Sequence, residues 1–157
     1  MRHWFAVLLF FFATTAVADV TPREGWAVIS TTKDHATLLA DLTSAVKANK
    51  MGVVTQAGPT GAAKRRGIEI PKNRVVGVFN NDFAVKILAL STAAMIEAPI
   101  RFYVTENADQ TATLSYKTPS FVFAPYFDEG GDALRDLARE LDTRFNRISQ
   151  QAIAAAP

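Results

Sequence analysis

No cysteine occurs anywhere in the 157 residues. That absence excludes disulfides, thiolate-held zinc, iron–sulfur clusters and covalently attached haem, so any fold of this chain rests on core packing alone. Histidine is nearly as scarce, with only His3 and His35. A site built from several imidazoles is therefore excluded, and a histidine-activated nucleophile would have to use His35. An excess of charge of one sign is lacking too: 17 Lys and Arg stand against 15 Asp and Glu. Such a balance creates no broad field to draw in nucleic acid or an anionic membrane. Glycine fingerprints for nucleotides are missing as well, since Gly58-Pro59-Thr60-Gly61 has no lysine-threonine continuation. The composition calls for no metal and no cofactor, and the shortage of catalytic residue types argues against an enzyme.

One apolar run stands out. Arg2 and His3 form a short polar head, every residue from Trp4 to Phe12 is apolar, and small residues lead to Ala16-Val17-Ala18. A positive end, an apolar core and an A-x-A site are the ordered parts of a secretory signal. The run is far shorter than the ~20 residues that span a bilayer. The reading is a signal peptide over 1–18, cleavage after Ala18, and a periplasmic or secreted protein with no integral membrane segment. What remains is one domain over 19–149, followed by a frayed tail over 150–157.

Trp26 to Ser30 reads as a strand, and Asp34 as the N-cap of a helix whose apolar stripe is Leu38, Leu39, Leu42, Ala45 and Val46, stopped by Gly52. His35 then falls in an exposed first turn. Val53 to Ala57 reads as the return strand and Gly58 to Asn73 as a connector with a helical turn around Ala62 to Arg66. Within it Lys64-Arg65-Arg66 is the only basic run, a solvated stretch rather than a nucleic-acid patch. Arg74 to Phe79 is apolar at nearly every position, suiting a strand covered on both faces or at a subunit contact. Asn80-Asn81-Asp82 opens a second helix, with Ala84, Val85, Leu88 and Met95 facing inward.

Arg101 to Glu106 and Thr111 to Lys117 alternate with period two around a turn at Asn107 to Gln110, which predicts a hairpin. Leu134, Leu137, Ala138, Leu141, Phe145 and Ile148 recur at three- and four-residue steps, so the last helix lays a stripe on the sheet. The expected fold is α+β, in the order β-α-β-β-α-β-β-α, with helices packed on an antiparallel-leaning sheet.

The segments Phe79-Asn80-Asn81-Asp82, Glu97-Ala98-Pro99-Ile100-Arg101-Phe102-Tyr103-Val104-Thr105-Glu106-Asn107 and Leu114-Ser115-Tyr116-Lys117-Thr118-Pro119-Ser120 resemble the bacterial domain of unknown function 302 family. The likeness reaches back over Trp26 to Val54, and departs at Asp82, where the family usually has proline. It implies a fold shared with TATA-binding-protein halves, a homodimer and no established activity. Nucleic-acid binding does not follow from the fold.

Three groups of residues carry functional expectations. Asn80 and Asn81 stand at a helix start, where amide N–H groups suit an anion and capping alone explains them equally well. Arg101, Tyr103, Tyr116 and Lys117 gather on the hairpin as groups that suit a polar-rimmed pocket, or simple cross-strand pairing. Phe121, Phe123, Tyr126 and Phe127 crowd what reads as a loop and demand burial, whether inside the subunit, against a second subunit or around a hydrophobic ligand. The function expected is a homodimeric periplasmic binding or accessory module for a small hydrophobic or amphipathic ligand. Its rivals are a structural partner in an envelope complex and a carboxylate-based hydrolase or isomerase using Asp82, Glu97 or Glu106.

Overall fold

The computed structural model describes residues 20–154; the expected signal segment falls outside them. Strand β1, Trp26–Asp34, runs into helix α1, His35–Ala48. The junction is fixed by Asp34, whose Oδ1 accepts the N–H groups of Ala36 at 2.8 Å and Thr37 at 2.9 Å. The residue that closes the helix, just past its C-cap Asn49, is Lys50 at φ 57°, not Gly52. The N–H of Met51 returns to the Val46 carbonyl at 3.1 Å and that of Lys50 to Lys47 at 3.0 Å, the paired bonds of a Schellman cap on a non-glycine residue. Gly52 instead opens β2, Gly52–Ala57.

A short helix α2, Thr60–Arg65, lies in the connector ahead of β3, Asn73–Phe79. Helix α3, Asn81–Leu90, and a 3-10 turn, Ala93–Glu97, lead to β4, Ile100–Glu106, and β5, Thr111–Lys117. After β5 come α4, Pro119–Phe123, a 3-10 turn, Ala124–Tyr126, and α5, Phe127–Ile153. Set α2 and α4 aside and the order is the expected one. The strands form a single antiparallel sheet ordered β1-β5-β4-β3-β2.

Helices α1 and α5 pack together on one face of that sheet. Val76, Val78, Phe102, Val104 and Leu114 meet Leu38, Leu42, Leu134, Leu141 and Phe145, all at most 2% exposed. At the centre the rings of Phe102 and Phe145 stack at 4.6 Å, and Tyr116 meets Phe102 edge-on at 5.0 Å.

Several expectations are corrected here. In α3 the buried residues are Phe83 and Ile87, whereas Val85 and Leu88 are 68% and 49% exposed. The segment is apolar on almost every side, so its period does not reveal which stripe faces in. His35 is buried, with Glu106, Lys72 and Arg74 about it. The aromatic segment is helical, because Thr118 caps α4 with Pro119 in its first turn and Asp142 of α5 accepts the N–H of Ser120 at 2.9 Å. The helix α5 continues past Ser149 to Ile153, where Ala152 is fully buried and its carbonyl accepts Lys33 Nζ at 2.9 Å.

Candidate functional site

Among the described residues the other face of the sheet carries no long helix, and its side chains fall into transverse rows dictated by the strand register. One row runs from Trp26 on β1 through Lys117, Arg101 and Gly77 to Thr55 on β2. The next is Val28, Ser115, Tyr103, Val75 and Ala57. A third sets Ser30 beside Thr113, Thr105 and Asn73. Residues two apart along a strand share a face, so each row is one step of the pleat from the next on this side.

A groove of about 700 Å³ lies over the first two rows, within the range of small-ligand sites, roughly 300–1,000 Å³. Val75 and Tyr103 line it from the central strands, Ala57 and Pro59 from the end of β2, and Trp26 from β1. At one end stand Arg101, Lys117, Glu97 and Val122. A smaller hollow of about 260 Å³ borders the far side of Tyr103, lined also by Thr105, Glu106 and Arg23.

Beside the groove, Gly77 permits a close approach. A Cβ there would come within 2.1 Å of Thr55 Oγ1 and 2.9 Å of Pro99 Cγ, so the missing side chain lets both residues lean over the middle of β3.

The groove's charges are unevenly committed. Glu97 Oε1 accepts the hydroxyl of Tyr126 at 2.9 Å. That bond, which favours the neutral phenol beside a carboxylate, is the main cause of a Tyr126 pKa above the usual tyrosine value. Arg101 and Lys117 each stand one residue beyond the last β4–β5 pair, Phe102–Tyr116, on the groove face. Among the described residues neither forms an ion pair. Lys117 Nζ lies 5.9 Å from the Trp26 ring centroid, the outer limit of a cation–π contact. On the same face the buried hydroxyls of Ser115 and Thr105 find no hydrogen-bond partner among the described residues.

Of the residues singled out in sequence, the groove gathers Arg101, Tyr103 and Lys117. Tyr116 borders it, but its ring belongs to the helix-covered face, where it is 5% exposed. Asn80 and Asn81 lie elsewhere. Asn80 caps α3, accepting the Phe83 N–H at 3.1 Å and donating to the Lys50 carbonyl at 2.8 Å, which occupies both ends of its amide. Asn81 is exposed in the first turn.

The aromatic segment divides. Phe123 is 1% exposed inside the subunit, the Phe127 ring lies under the Arg135 guanidinium at 4.6 Å, and Tyr126 is tied to Glu97. Only Phe121, 41% exposed, remains open, its ring set against Gly25. The three carboxylates of the hydrolase alternative are dispersed: Asp82 is on α3, Glu97 precedes β4, and Glu106 ends β4 in a 2.7 Å ion pair with Lys72.

Trp26, Ala57, Pro59, Val75, Glu97 and Val122 were not legible as groove residues. For Val75 a signal existed, since one strand register puts it opposite Val76, but an unbroken apolar run hides which face is which.

The family model described as Domain of unknown function DUF302 matches residues 26–152. The chain belongs to the DUF302 family. Among solved structures, the crystal structure of an uncharacterized conserved DUF302 protein from Bacillus stearothermophilus is similar at a TM-score of 0.73. The two are 15% identical, and the match covers 83% of this chain and 99% of that one. At that identity the likeness shows the fold alone. No curated protein matches the chain. Among the described residues of this DUF302 protein, no helix is long and apolar enough to cross a membrane.

Proposed function

We propose that this protein is a periplasmic binding or accessory module that works as a homodimer and holds a small hydrophobic or amphipathic molecule on the uncovered face of its sheet. The observation that carries the reading is the groove itself. Its volume of about 700 Å³ and its lining by Trp26, Val75, Tyr103, Ala57 and Pro59 give a mostly apolar surface with polar groups at one end, the common form of a small-molecule site. Export is supported by the N-terminal sequence from Arg2 to Ala18, and the dimer by the family likeness.

Native mass spectrometry on the protein recovered gently from a bacterial periplasm tests all three parts. Expected are a subunit mass lacking residues 1–18, a dimer, and additional retained mass. A ligand-free chain whose melting temperature is unmoved by a broad panel of amphiphiles would remove the binding reading.

A second reading, contact with a protein partner, is favoured by the exposure of Val85 and Leu88 on α3 and of Ile96, at 79%, on the turn that follows. It predicts that Val85→Asp with Leu88→Asp abolishes co-purification of a partner while the subunit stays folded.

A further inference from the structure

We infer that the groove recognises an anionic amphiphile, and that Arg101 and Lys117 together hold its charged end. The inference rests on the groove being a ligand site and adds the chemical class of the ligand.

Arg101, paired with Gly77, and Lys117, paired with Trp26, each lie one residue beyond the last β4–β5 pair, Phe102–Tyr116, so continuing that register brings the two cations to neighbouring positions on one face of the sheet. At such positions side chains start about 5 Å apart, and like charges there repel and destabilise the pair. A sheet that keeps such a pair with no acid between them retains an unfavourable contact. Glu97 is the acid that shares the groove, yet its carboxylate is engaged by Tyr126 and forms no ion pair with either cation among the described residues. A carboxylate or phosphate placed between a guanidinium and an ammonium would turn the repulsion into two charge-assisted contacts.

The rest of the groove suits the remainder of such a molecule. From the Arg101–Lys117 row the floor passes to Tyr103, Val75 and Ala57, one pleat step away, with Pro59 beyond. Trp26 stands beside the cationic end, where an indole face covers an alkyl chain or a flat ring equally well.

Isothermal titration calorimetry of the full chain with dodecanoate, dodecyl phosphate and the uncharged dodecanol, all below their self-association concentrations, tests this. Dodecanoate or dodecyl phosphate is expected to bind at least about tenfold more tightly than dodecanol. Whichever of the two binds better identifies the head group. In Arg101→Gln/Lys117→Gln the preference for the anions over dodecanol disappears. The double variant also reports on the unliganded protein: relief of like-charge repulsion leaves its Tm equal or higher, whereas residues with a structural role would lower it.

Equal affinity for dodecanol and dodecanoate in the parent protein overturns the anion assignment and leaves the groove as a site for neutral amphiphiles. Anion binding that survives the double substitution overturns the assignment to Arg101 and Lys117. No heat with any of the three ligands removes the groove reading along with it.

Discussion

The ring of Phe145, on the last helix, lies nearly parallel to that of Phe102, on a central strand, at 4.6 Å between centroids and 14° between planes. Both are fully buried, so this contact ties α5 to the middle of the sheet. Phe145→Ala should lower unfolding free energy by about 3–5 kcal/mol, and Phe145→Leu by clearly less, because leucine refills most of the volume. Urea denaturation at fixed slope reads both. Equal, small losses would show that the stack is not the centre of the core.

Gly77 makes a second stability prediction. Its missing Cβ leaves the space into which Thr55 Oγ1 and Pro99 lean, so Gly77→Ala should cost about 1–3 kcal/mol as an overpacked site. Thr55→Ala removes the nearer obstacle, and the double variant should recover part of the loss. Strict additivity in that cycle would mean that the two positions do not meet.

The buried His35 gives the fold a dependence on pH. Burial is the main reason its pKa lies below the ordinary 6.5; Lys72 and Arg74 act in the same direction, while Glu106 and the Val104 carbonyl oppose them. Its Nε2 has no hydrogen-bond partner among the described residues. The unfolded chain takes up a proton near 6.5, and the folded one resists until lower pH. Stability from this residue is therefore complete above pH 6.5 and is lost as the pH falls through the folded value. Glu106, whose pKa lies below 4.5 chiefly through its hydrogen bond from Lys72, adds a separate loss only at more acid pH. The Tm should decline from about pH 7 to about pH 5, and His35→Gln should flatten that decline. An unchanged slope in the variant would assign the pH dependence elsewhere.

Lys50 holds the left-handed position that closes α1. Glycine adopts that conformation without the Cβ clash, so Lys50→Gly should stabilise the protein by about 0.5–1 kcal/mol. The backbone bonds it makes, including the one its carbonyl accepts from Asn80, are untouched. Thermal unfolding checks the sign, and destabilisation would show that the lysine side chain contributes more than its strain costs.

Regular periods made much of the fold legible. The stripe of α1, the alternating hairpin and the stripe of α5 each place one clear face inward, and Asp34 has the chemistry of a cap. Where the apolar pattern is unbroken, sequence loses the direction: Val85 and Leu88 face solvent, and Val75 looks onto the groove while Val76 enters the core. The β4 side of the groove was readable because Arg101 and Tyr103 alternate with Phe102 and Val104. Tyr116 belongs to the opposite phase of β5, and its polar tip suggested a site where packing places a core ring. Asn80 was ambiguous for a different reason, since the same amide serves a ligand or a helix cap, and only its two partners, Phe83 and Lys50, decide.

Strand β1 has a single neighbour, and that neighbour is the last strand made. The Thr31 hydroxyl reaches the Ala112 carbonyl across 81 residues of chain, and the Lys33 ammonium reaches Ala152 across 119. Contacts so distant in sequence demand costly loop closure before they return anything. During synthesis, then, the N-terminal strand waits without a partner until nearly the whole chain has emerged. Sealing the domain therefore depends on β5 and the end of α5, the parts of the chain made last.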